Sequence, residues 1–307
     1  PDMQDRYRVG YTFQFSPNGE FVAYVGQASS AELGDQLFLV DIEGRERPQK
    51  INHQLPKLGW VEYGFQFSSD SKKILYVAVD RVINYSLNAG DLSYYVVDLS
   101  APGKSRHVAK MYDASPAIRA KFSPSGQKIM YATSEVSPIQ MAKNFTIFRW
   151  LLKLHIIDAN TGTLKASYLT SLDGVFDTTT DFVGEDRILI AGQVAIDPRI
   201  SKDTRYGAQL FDVAQKKVVS DVKRPSYHIR RFILKDHVVF QFYGADLQTQ
   251  SEIGGLTAFS LVDGSVQDLV SLSNNPGAVL HVDSAQSRLY FHSGLNGRSM
   301  LNVIEPK

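Results

Sequence analysis

Three stretches of this chain carry nearly the same wording, and any fold must let them do the same job. They are Phe15-Ser16-Pro17-Asn18-Gly19-Glu20-Phe21-Val22-Ala23-Tyr24, Phe67-Ser68-Ser69-Asp70-Ser71-Lys72-Lys73-Ile74-Leu75-Tyr76 and Phe122-Ser123-Pro124-Ser125-Gly126-Gln127-Lys128-Ile129-Met130-Tyr131. Each joins an aromatic strand end to a turn of Ser, Pro, Asn, Asp or Gly, and then to an alternating apolar strand. That order is the signature of a β-hairpin. Weaker copies extend the series, with anchors at Phe15, Phe67, Phe122, Phe182, Phe232 and Val282, 50 to 60 residues apart.

A second apolar strand follows each anchor hairpin, as in Leu37–Asp41, Tyr94–Asp98, Leu154–Asp158, Leu210–Val213, Leu256–Ser260 and Met300–Val303. Polar turns such as Glu43-Gly44, Thr161-Gly162 and Asp263-Gly264 then lead into a short fourth strand. Four strands per repeat of about 50 residues describe the blade of a β-propeller. A lone four-stranded sheet cannot bury both its faces, so neighbouring blades must cover one another. The expected fold is an all-β, six-bladed propeller in one domain spanning residues 1–307, with blades near 10–52, 62–109, 117–168, 178–222, 228–271 and 278–307. The last copy stops after its third strand. The piece Arg6-Tyr7-Arg8-Val9, within residues 5–9, is expected to complete it and close the ring, removing two open edges.

The phrase Phe-Ser-Pro-x-Gly-x-x-Ile-x-Tyr, followed by a strand ending in Asp, resembles the repeat of TolB-type (WD40-like) propellers and of the propellers in prolyl-oligopeptidase-like peptidases. The likeness covers essentially the whole chain and is strongest in the first three copies. It implies a free-standing or excised propeller, often exported to the bacterial periplasm or secreted, and often a platform for a protein or peptide partner. The hydrolase domain of the peptidases is not expected, because no Gly-x-Ser-x-Gly elbow occurs. A propeller fold by itself does not specify a function.

Composition narrows the classes further. With 33 basic and 32 acidic residues the net charge is +1, too little field to gather a nucleic acid. No cysteine is present, which excludes disulfides, thiolate metal sites and cysteine nucleophiles. No apolar run reaches the ~20 residues of a membrane-spanning helix, and Pro1 to Asp5 is polar and holds no signal-peptide core. His228, His281 and His292 fall in adjacent repeats but form no short-range ligand motif, so neither metal nor cofactor is expected.

Two sets of residues could carry function. The polar residue just before each anchor is Gln14, Gln66, Lys121, Asp181, Arg231 or His281. Strand alternation puts all six on equivalent sides of inner strands, where they would line a central channel and, with His228, hold a small polar ligand or a sugar. Asp181 has Lys121 and Arg231 as natural partners. The second set lies at the end of the propeller with the longer connections: 27–36, 80–93, 135–149, 194–206 and 244–255. There Trp60, Tyr85, Tyr112, Arg149, Arg199, Arg205, Tyr206 and Tyr227 would anchor a protein or peptide partner. A non-enzymatic scaffold working through that loop face is the first expectation; a small-ligand or carbohydrate-active enzyme at the channel mouth is the second.

Overall fold

The computed structural model describes residues 7–28, 35–44, 47–51, 65–84, 89–114, 120–142, 145–173, 178–193, 205–225, 228–245, 252–272, 279–283, 288–295 and 298–306. Every regular element among them is a strand, and all sheets are antiparallel meanders. The first sheet holds β1 (Tyr7–Phe15), β2 (Phe21–Ala28), β3 (Asp35–Asp41) and β4 (Gln49–Lys50). The second holds β5 (Phe65–Phe67), β6 (Lys73–Asn84), β7 (Ala89–Asp98) and β8 (Ser105–Ala114). The third holds β9 (Lys121–Phe122), β10 (Lys128–Ala142), β11 (Phe145–Asp158) and β12 (Leu164–Asp173). The fourth holds β13 (Thr179–Phe182), β14 (Arg187–Gln193), β15 (Arg205–Asp212) and β16 (Lys217–Pro225). The fifth holds β17 (His228–Ile233), β18 (His237–Ala245), β19 (Glu252–Ser260) and β20 (Val266–Leu272). The sixth has three strands, β21 (Val279–Asp283), β22 (Arg288–Leu295) and β23 (Arg298–Ile304).

Two compact units divide the chain. Pro1–Ser134 and Leu152–Leu169 form one; Glu135–Leu151 and Thr170–Lys307 form the other. In the first unit, Leu37, Leu39 and Ile51 of the first sheet pack on Phe65, Phe67, Ile74 and Tyr76 of the second. Leu75, Val77, Tyr94 and Val96 on the opposite face of the second sheet meet Phe122, Ile129 and Ile157 of the third. In the second unit the fourth sheet packs on the fifth through Leu189, Ala208, Val238, Phe240 and Phe259. The fifth packs on the sixth through Val239, Leu256, Ala258, Leu289 and Phe291. Adjacent residues such as Val238 and Val239 thus bury themselves against different neighbours, as a period of two requires for a sheet covered on both faces.

The repeat's turn is built by its serine. Ser16, Ser68 and Ser123 are buried, and each hydroxyl accepts the N–H five residues on, from Phe21 (2.9 Å), Lys73 (2.9 Å) and Lys128 (3.1 Å). The fourth turn position has positive φ in all three copies: 75° at Gly19, 58° at Ser71 and 70° at Gly126. At the far end of the third strand, the Asp of the repeat caps the next turn. Asp41 accepts from the Glu43 N–H, Asp98 from Ser100, Asp158 from Asn160 and Thr161, and Asp212 from Gln215.

Two expectations need correction. Tyr7, Arg8 and Val9 do not complete the last sheet; they pair with Ala28, Gln27 and Gly26 as the start of β1. An irregularity between Val9 and Phe13 bends the strand without ending it, which is why the piece looked separate in sequence. Much of what reads as long loop is strand: β6 and β7 occupy 80–84 and 89–93, and β10 and β11 occupy 135–142 and 145–149. The backbone continues to pair beyond the core even where side chains such as Glu135 are exposed, because the ladder needs no buried face.

Candidate functional site

The six polar residues before the anchors all lie on the first strand of their sheets. The side chains of Gln14, Gln66, Asp181 and Arg231 are engaged with the neighbouring sheet. The Phe67 N–H donates to Gln14 Oε1 at 3.3 Å, and the Phe122 N–H donates to Gln66 Oε1 at the same distance. Each glutamine of one sheet therefore holds the anchor backbone of the next. Between the fourth and fifth sheets the same register is served by an ion pair, Arg231 to Asp181. Lys121 is half-buried on β9, opposite Met130 in the ladder. His281 is exposed, its ring 5.7 Å from that of Tyr290 across the β21–β22 pair. His228 opens β17 opposite Tyr243. Among the described residues no group of three or more His, Cys, Asp or Glu could hold a metal ion.

The loop-face set is more dispersed. Trp60, Tyr85, Arg199 and Tyr227 lie outside the described residues. Tyr112 belongs to β8 and Arg149 to β11, and Arg205 is the first residue of β15. Tyr206 is not exposed as a surface anchor would be: it lies within β15, 6% exposed, where consecutive residues as far as Asp212 are buried because the sheet is covered on both faces. Side chains that are on the surface of the third sheet's long arm include Val136 and Phe148, 44% and 65% exposed.

The repeat tyrosine has a partner that the sequence reading left unassigned. Tyr24 stacks on Phe38, Tyr76 on Tyr95 and Tyr131 on His155, with centroids 4.8 to 5.3 Å apart and planes within 18°. The signal was present: Phe38, Tyr95 and His155 each stand three residues before the Asp cap. His155 Nε2 lies 3.0 Å from the Thr133 hydroxyl, and Tyr94 packs on Tyr131 from the second sheet. Burial pushes the Tyr94 hydroxyl above its ordinary pKa. The contacts of Tyr76 with Tyr95 and of Tyr131 with Tyr94 are packing devices in sheet-to-sheet cores.

Further bonds tie turn to turn. The Asn18 N–H donates to Ser71 Oγ at 3.0 Å, Ser69 Oγ donates to the Pro124 carbonyl, and Arg106 donates to the Ala159 carbonyl. In the second unit Arg187 donates to the carbonyls of Leu261 and Val262, and Ser220 to that of Gly264.

Repeated four-stranded meanders, packed face to face and stitched along their first strands, define a β-propeller. The propeller domain of the Trilobed protease from Pyrococcus furiosus matches 99% of this chain and 84% of its own at 13% identity, with a TM-score of 0.53. Acylaminoacyl peptidase in complex with a chloromethyl ketone matches 97% of this chain and 45% of its own at 12% identity, with a TM-score of 0.51. TolB from Acinetobacter baumannii matches over 94% of this chain and 61% of its own, at 14% identity and a TM-score of 0.41. The chain thus spans most of the Trilobed protease propeller but under half of the peptidase. The likeness to the first two shows a propeller fold. No protein-family model and no curated protein matches the sequence.

Proposed function

We propose that this propeller is a non-enzymatic scaffold that binds a protein or peptide partner where the second and third strands of its sheets extend beyond the core. The observation that carries this reading is the arm made by β10 and β11. It runs well past the packed part of its sheet and exposes Val136 and Phe148. Large exposed apolar and aromatic side chains are the composition of a binding anchor. The small-ligand reading loses support because Gln14, Gln66, Asp181 and Arg231 already bond to neighbouring sheets. Export to the periplasm or outside the cell is part of the same proposal, and fractionation of the native host would test it.

A peptide array probed with the labelled chain tests the scaffold reading directly. Phe148→Ala and Val136→Ala should each lose the captured peptides while shifting stability by no more than about 0.5 kcal/mol, the usual range for exposed positions. Capture that survives both substitutions overturns this surface. Thermal stabilisation by an oligosaccharide panel, lost in Arg231→Ala, would favour the carbohydrate-active alternative instead.

A further inference from the structure

One position in the fourth sheet is filled differently from its counterparts. Three residues before the cap that ends the third strand, the first three sheets carry Phe38, Tyr95 and His155, each stacked on a second-strand tyrosine. The fifth carries Thr257, whose hydroxyl donates to Asp268 of the same sheet at 2.7 Å. The fourth carries Gln209, opposite Ile190 of β14 and 2% exposed. Its Nε2 donates to the Ser171 hydroxyl of β12 at 3.1 Å, while its buried Oε1 accepts no hydrogen bond among the described residues. Turning the amide over only exchanges its two ends, because a serine hydroxyl can donate or accept. In either setting one end of a buried amide is bonded to Ser171 and the other calls for a further polar partner.

The surroundings are polar and short of side chains. Leu189 and Ala191 pack towards the fifth sheet, so alternation sends Ile190 and Gln209 to the opposite face. The next row on that face pairs Gly192 with Gly207, both buried and neither bringing a side chain. Thr178 lies against Gly192: a Cβ there would come within 2.7 Å of Thr178 Cα and closer still to its hydroxyl. Diagonal neighbours on paired strands stand about 7–8 Å apart, within reach of a long side chain. Gln209 thus extends beside the glycine row, with the hydroxyls of Ser171 and Thr178 around it, and all of these residues belong to the second unit.

We propose that Gln209 holds a buried water molecule that joins β12 of the third sheet to the fourth sheet. Water donates or accepts as the amide end requires, and a buried one makes about three hydrogen bonds. The amide and the two hydroxyls supply that number, since each hydroxyl can donate once and accept twice. The water extends the single bond between Gln209 and Ser171 into a network that spans the two sheets. It replaces in the fourth sheet what a stacked ring does in the first three. The site is separate from the arm of β10 and β11, and the partner-binding reading neither requires it nor supports it.

Crystals of the full chain test it. An ordered water should lie about 3 Å from the end of the Gln209 amide that faces away from Ser171, with a second bond to the hydroxyl of Thr178 or Ser171. A protein donor or acceptor meeting that end of the amide, or apolar atoms packed against it, would overturn the proposal. In solution, magnetic relaxation dispersion of water oxygen counts the long-lived internal waters. Gln209→Met is close in volume and lacks the amide, so it should hold about one water fewer than the parent. An unchanged count in the folded variant also sinks the site. Should Gln209→Met not fold, the crystal result decides alone, because it uses the unaltered chain.

Discussion

The first three sheets and the last three reach the same meander with different chemistry. In the first three, a buried serine builds the anchor turn and a tyrosine of the second strand stacks on a ring of the third. In the fourth and fifth, the turns close with backbone bonds, Val183 N–H to the Arg187 carbonyl and Leu234 N–H to that of His237. The stacked pair becomes Ile190 opposite Gln209 and Phe240 opposite Thr257, all of them buried. The first-strand stitch changes too, from a glutamine accepting a backbone N–H to the Asp181–Arg231 ion pair. What stays constant is the demand, not the residue: a short connection, a filled cross-strand position and a tie to the next sheet. Wording can vanish wherever another side chain meets the same demand.

The largest test of that comparison is Tyr76→Ala, which removes a ring 2% exposed from the core between the first two sheets. It should cost about 3–5 kcal/mol by denaturant unfolding, as truncation of large buried side chains does. Replacing the pair by its fourth-sheet counterparts, Tyr76→Ile with Tyr95→Gln, should recover part of that loss if the two chemistries are interchangeable.

Breaking the stitch comes next. Arg231→Ala removes the arginine from beside the Asp181 carboxylate, whose side chain is 16% exposed, and should cost about 2 kcal/mol. Gln66→Ala leaves one backbone N–H without its acceptor and should cost about 1 kcal/mol. Equal costs would mean that the ion pair is no stronger a tie than the amide.

Smaller still is Ser71→Gly. Glycine relieves the positive φ of 58°, while the Asn18 N–H loses its acceptor. The two terms oppose each other, and the net change should stay within about 1 kcal/mol.

The least of these effects concerns acid. Bonds from Ser100 hold the Asp98 carboxyl below its ordinary pKa, and the Ser265 N–H, ahead of hydroxyl bonds from Ser260 and Ser265, holds Asp263 down at about 2. A carboxyl lowered on folding stabilises the fold fully above about pH 4, and that contribution fades as pH falls through the lowered folded value. Asp98→Asn should therefore flatten the loss of melting temperature below pH 4, leaving the neutral-pH value nearly unchanged because the group is exposed.

The hairpins, their spacing and the Asp caps were legible because each is local: turn chemistry and strand alternation act within a dozen residues. The stacking of Tyr131 on His155 and the hold of Gln14 on Phe67 were not, since both depend on register between strands far apart in sequence. The arm from Glu135 to Arg149 was misread as loop because polar residues were taken for absence of structure. Its β-ladder satisfies the backbone without needing a core. Tyr206 was misplaced for the converse reason: consecutive residues of β15 are buried on both faces, so nearness to a predicted loop did not expose its ring.

The bonds from Asn18 to Ser71 and from Ser69 to Pro124 mean that no anchor turn in the first three copies is a self-contained module. Even Gly126 is set by its neighbour, since a Cβ there would come within 3.1 Å of Ser68 Cβ. Anyone shuffling or grafting these repeats would have to transplant adjoining corners as a matched set, because a hydroxyl in one copy finishes the hairpin of the copy beside it.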